Sequence, residues 1–178
     1  DRLLTDPQRR VFDHRRRGQG GVVLIDQSGS MRLTDGDLWR IIEAAPGCVI
    51  IGYSHEPRSA GKPNLWVLAD RGQVVDEVPA GNGGNGVDGP ALHYALRRRK
   101  SGEPMLWVCD GHVTDETDDV HTELTEECAR IVALNHIHQV PDVESAVKAL
   151  SKAANGIVLK ASAVGPIAQS QGWRSRME

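Results

Sequence analysis

Residues 21–31, Gly-Val-Val-Leu-Ile-Asp-Gln-Ser-Gly-Ser-Met, drive an apolar run straight into one carboxylate and two hydroxyls. Val22 to Ile25 suit a strand buried on both faces, and Asp26 marks where the chain leaves the core. Asp26, Ser28 and Ser30 then fall in a tight loop relaxed by Gly29, which lets three oxygen side chains converge on one point. Such donors suit hard cations, magnesium, calcium or manganese, before zinc or copper. A second apolar run, Pro104 to Cys109, likewise ends in an aspartate followed by glycine, Asp110-Gly111. Ligands of open parallel sheets bind beyond the carboxyl ends of the strands, so Asp26 and Asp110 are expected to share one site.

Asp26-x-Ser28-x-Ser30, the glycine-rich stretch 83–92 and Asp110-Gly111 together resemble the von Willebrand factor type A (VWA) family over roughly residues 21–140. That family's metal-ion-dependent adhesion site (MIDAS) is written Asp-x-Ser-x-Ser, then a threonine in a glycine-rich loop, then an aspartate followed by glycine. The resemblance implies a three-layer Rossmann-like α/β fold: a mainly parallel central sheet with an antiparallel edge hairpin, and helices on both faces. It also implies a protein-binding module rather than an enzyme. Ser28 and Ser30 would bind a divalent cation directly, with Asp26 and Asp110 beside it or reached through water. Magnesium is the expected ion, with manganese or calcium as alternatives. A partner's Asp or Glu would fill the open position. Intracellular bacterial or phage members of the family often work beside AAA+ ATPases, so such an ATPase or its substrate is the partner class implied.

The threonine does not match. Counting back from Ala91-Leu92 puts Gly86 at its place, and glycine offers no side chain. Asn85 is expected to supply the missing oxygen, and Asp88, just ahead of Gly89-Pro90, to cap the following helix.

Other chemistries fit less well. Haloacid-dehalogenase-type phosphatases also present an aspartate at a strand end, which would make Asp26 a nucleophile and Asp110 and Asp115 late metal-binding acids. Ser28 stands where that chemistry needs an aspartate as general acid. A serine hydrolase lacks its Gly-x-Ser-x-Gly elbow, and no Gly-x-x-x-x-Gly-Lys loop is present to hold nucleotide phosphates. The arginines at 9, 10 and 15–17 could touch RNA or DNA phosphates, but a net charge of -3 favours a solubilising arm. The acidic run Asp115, Glu116, Asp118, Asp119 lacks EF-hand spacing.

These side chains need elements to position them. At 178 residues with 39% apolar content, one domain is expected: a basic arm and linker over 1–20, then a single VWA-like domain over 21–178. The chain opens at Asp1 rather than methionine, as a piece of a longer protein would. No run approaches the roughly 20 apolar residues of a membrane span, and a cytoplasmic protein is expected. The three cysteines, Cys48, Cys109 and Cys128, are too scattered for a disulfide framework or zinc knuckle, and Cys48 and Cys109, at strand ends, read as core residues.

Spacing predicts a helix through Leu38 to Ala45, capped by Asp35 or Asp37 and stopped by Pro46-Gly47. Buried strands are expected at 48–53 and up to Asp110. A hairpin is expected from 64–69 and 73–78 around Asp70-Arg71-Gly72. Further helices are expected at 90–99, 125–134 and 143–153, with short strands at 137–140 and 156–160. The alternation favours a mainly parallel sheet covered by helices.

Overall fold

The computed structural model describes residues 20–55, 63–74, 87–113 and 121–154. The basic arm, Asn85, the acidic run 115–119 and the expected strand at 156–160 lie outside the described residues. The elements run β1 (Gly21–Asp26), α1 (Asp35–Ala44), β2 (Cys48–His55), β3 (Pro63–Asp70), β4 (Gln73–Val74), α2 (Asp88–Arg98), β5 (Met105–Val108), α3 (Thr122–Leu134), β6 (His138–Val140) and α4 (Val143–Ala154).

They form one six-stranded sheet in the order β4-β3-β2-β1-β5-β6. β1 pairs in parallel with β2 and β5, and β5 with β6, while β3 and β4 add an antiparallel edge. This is a Rossmann-like α/β architecture. β1 is central because every one of its residues is buried, as an aliphatic run flanked on both sides requires. Its side chains alternate between two cores. Val23 and Ile25 pack with residues of α1 and α4, such as Ile41 and Ala146, whereas Val22 and Leu24 pack with Leu92 of α2 and Val132 of α3. Helices therefore cover both faces. From β1 the chain builds outward through β2, then crosses back to β5 on the other side of β1, which puts a topological switch point at the carboxyl ends of β1 and β5.

The hairpin closes through Arg71 and Gly72, both at positive φ (50° and 96°), the geometry of a two-residue turn that follows the twist of its strands. Helix α1 corrects one expectation: its cap is Thr34, not Asp35 or Asp37. The Thr34 hydroxyl accepts from the Asp37 amide at 3.3 Å, and the Asp37 carboxylate accepts from the Thr34 amide at 3.1 Å and its hydroxyl at 2.7 Å. These bonds hold the Asp37 carboxyl below the usual range. Helix α3 starts at Thr122 rather than Thr125: the Thr125 amide already donates to the His121 carbonyl at 3.1 Å in the first turn, and its hydroxyl bonds back to the same carbonyl. No described helix is long and apolar enough to cross a membrane.

The reciprocal cap gives a direct measurement. Thr34→Ala is expected to lower stability by about 0.5–2 kcal/mol, read as a lower urea midpoint at unchanged slope. An unchanged midpoint would mean that Thr34 does not start the helix.

Candidate metal centre

Asp26 is the last residue of β1 and stands in register beside Tyr53 of β2, only 2% exposed. Its Oδ1 accepts from the Ser28 amide at 2.8 Å, which folds the loop back over the strand end. The Ser28 and Ser30 hydroxyls then share a hydrogen bond at 3.1 Å, so both oxygens lie on one rim. Asp110 follows β5, where Gly111 at φ 86° turns the chain and the His112 amide donates to Asp110 Oδ1 at 3.0 Å. A carboxylate oxygen of Asp26, one of Asp110 and the Cys109 sulfur all lie within 4.8 Å of one another. Asp26, Ser28, Ser30 and Asp110 are thus brought to one edge as the sequence predicts.

The loop is anchored from the opposite face as well. Gln27 is buried, its amide donating to the Tyr53 carbonyl at 2.8 Å and its Oε1 accepting from Trp66 Nε1 at 2.7 Å. That bond crosses β2 at Gly52, where any Cβ would collide with both Gln27 Oε1 and Trp66 Nε1. Glycine is required here by close approach.

Asp88 corrects a second expectation. It is not the cap of α2: Val87 holds that position without a side-chain bond, and Asp88 is already helical. Its carboxyl is drawn inward instead, only 3% exposed, where the Tyr53 hydroxyl donates to Oδ1 and Trp107 Nε1 donates to that hydroxyl at 3.0 Å. Asp88 Oδ2 is buried without a hydrogen-bond partner. Cys109, Tyr53 and Trp107 read from sequence as core residues. The polar tips of Tyr53 and Trp107 were the available signal, since buried aromatics with such tips need partners.

Burial dominates the electrostatics. It raises the Asp26 carboxyl to about 6, with Asp110 adding repulsion and the Ser28 hydrogen bonds opposing. Burial and then the Asp26 charge raise Asp88 to about 7, opposed by the Tyr53 hydrogen bond. Burial, with the Asp88 and Asp26 charges behind it, lifts the Cys109 thiol well above its ordinary range, so it stays protonated and serves Asp26 as a donor. Among the described residues no basic side chain forms an ion pair with Asp26, Asp88 or Asp110.

No family model matches the chain, and no curated protein or solved structure matches it. What the site can do follows from its own donors: carboxylates from two strand ends and two hydroxyls on one loop are a hard-cation set.

The raised carboxyls set a pH dependence. Both titrate near 3.8 when unfolded and higher when folded, so the native chain binds more protons between these values. Stability of the metal-free chain therefore falls as pH rises from about 4 through 7. Urea titrations in EDTA are expected to show a more stable protein near pH 5 than above pH 7, with a shallower slope for Asp88→Asn. Stability that rises across this window would contradict the burial of these groups.

Proposed function

We propose that this chain is a cation-dependent protein-binding module of VWA type, with Asp26, Ser28, Ser30 and Asp110 holding a magnesium ion that a partner's Asp or Glu completes. The observation that carries this reading is the meeting of Asp26 and Asp110 from adjacent strand ends, with the paired Ser28 and Ser30 hydroxyls on the same rim. Buried carboxylates without a cationic partner are costly, and a divalent cation offsets that cost.

When bound, the cation supplies a Lewis-acidic point with an open position for a carboxylate oxygen. The chain's own residues keep that point available. Ser28 and Ser30 offer neutral oxygens, which leave the ion electron-poor. The Ser28 amide fixes Asp26, and the His112 amide fixes Asp110. Manganese or calcium suits the same donors. Binding without turnover is favoured over phosphatase chemistry because Ser28, not an acid, stands two residues after Asp26. Kinship of this type brings an AAA+ ATPase or its substrate as the partner class and the cytoplasm as the compartment.

Thermal and urea melts with magnesium against EDTA test the reading. At a concentration of about 100 Kd the ion is expected to add about 2.7 kcal/mol of stability. Asp26→Ala and Ser28→Ala should lose this gain and any magnesium-dependent partner capture while keeping native circular dichroism. Identical melts at saturating metal would remove the proposal. Magnesium-dependent phosphomonoester hydrolysis that disappears in Asp26→Asn would replace it with the enzyme reading.

A further inference from the structure

We infer that the Cys109 thiol is a reserve ligand at this edge, and that a thiophilic divalent cation such as zinc binds there through Asp26, Cys109 and Asp110. The inference rests on the cation reading above and adds a second class of ion to the same site, one that competes with magnesium.

Placement carries the assignment. Cys109 stands between the last residue of β5 and Asp110, so the strand that delivers one carboxylate to the edge delivers a sulfur with it. That sulfur and one carboxylate oxygen each from Asp26 and Asp110 lie within 4.8 Å of one another, and among the described residues Cys48 and Cys128 join no such group. Zinc bonds of about 2.0–2.3 Å hold tetrahedral donors roughly 3.5 Å apart, so donors already within 4.8 Å need to close by little more than about 1 Å. Two hydrogen bonds hold the sulfur at the edge. The thiol donates to the Asp26 carboxylate, and the Gly111 amide donates to the sulfur at 3.4 Å. An amide directed at sulfur is also the outer contact that steadies a metal-bound thiolate.

The two ion classes differ in what they do to the thiol. Only the thiolate is a metal ligand, so a metal–sulfur bond forms as the S–H bond breaks and its proton passes to the solvent. Magnesium takes oxygen donors and leaves the S–H in place on Asp26. Its charge is then balanced by two aspartates, and the neutral serine hydroxyls keep it electron-poor and open to a partner. Zinc gains a sulfur bond in exchange for the proton, and two carboxylates with a thiolate leave the site with one uncompensated negative charge. A partner's carboxylate is repelled by that charge. Zinc therefore converts the binding module into a closed form without any change of fold.

Cobalt(II), a coloured substitute for zinc, tests the inference together with calorimetry in zinc and magnesium chloride, on the metals alone. The full chain without magnesium is expected to bind one cobalt ion and to develop thiolate-to-cobalt charge-transfer absorption in the near ultraviolet. Loading with one equivalent of zinc should abolish the magnesium heat. Cys109→Ser is expected to lose the absorption and to weaken zinc by about 10-fold or more, and zinc more than magnesium. Asp110→Asn should lose the absorption as well, which keeps the inference testable if Cys109→Ser fails to fold. Magnesium heat without zinc or cobalt binding, magnesium heat that persists in the zinc-loaded chain, or cobalt bound without the absorption would overturn the role of Cys109 and leave the magnesium reading standing. So would absorption that survives in Cys109→Ser, or in Asp110→Asn where only that variant folds. A wild-type chain with no magnesium heat would overturn the cation reading itself, whatever zinc does.

Discussion

Burial of carboxylates at the carboxyl edge of a parallel sheet is the constraint on which the rest of this structure depends. Asp26 and Asp88 are both almost fully buried, Asp110 stands close by, and no described basic side chain neutralises them. A low-dielectric interior tolerates such groups only when they are protonated, hydrogen-bonded or bound to a cation. Each neighbouring feature answers one part of that requirement. The Ser28 amide and the Cys109 thiol serve Asp26, and Tyr53 serves one oxygen of Asp88.

The fold makes this possible by giving the edge a rigid frame. Because β1 is central and aliphatic, it is fixed by parallel pairing on both sides up to Ile25, Asp26 continues that pairing with Tyr53 of β2, and the chain's return to β5 places Asp110 beside it. The two cores lock the frame from opposite faces. Gln27 reaches one face and Asp26 the other, so the loop that follows cannot swing away without breaking the Gln27–Trp66 bond or exposing the carboxylate. The polar site is thus an extension of the apolar packing.

Local pattern made much of this legible in the chain. The aliphatic runs of β1, β2 and β5 announce buried strands, the aspartates that end the β1 and β5 runs announce a shared edge, and Asp70-Arg71-Gly72 announces the hairpin. What sequence missed depends on contacts between distant residues. Asp88 looks like a cap because its neighbours Gly89-Pro90 suit a helix start. Its real partner, Tyr53, lies on another strand, and a buried hydroxyl outcompetes the local backbone. Sequence does not single out Thr34 over Asp35 and Asp37 because both residue types cap well, and only the reciprocal bond with Asp37 separates them. Cys109 reads as core and is core, yet its sulfur also faces Asp26.

An anomalous-scattering experiment on crystals grown with manganese would test the central claim most directly, since it locates the ion without reference to any partner. The expected result is one strong manganese peak at the carboxyl ends of β1 and β5, bounded by Asp26, Ser28, Ser30 and Asp110. A crystal soaked to saturation with no peak there, and with Ser28 and Ser30 still bonded to each other, would contradict the claim.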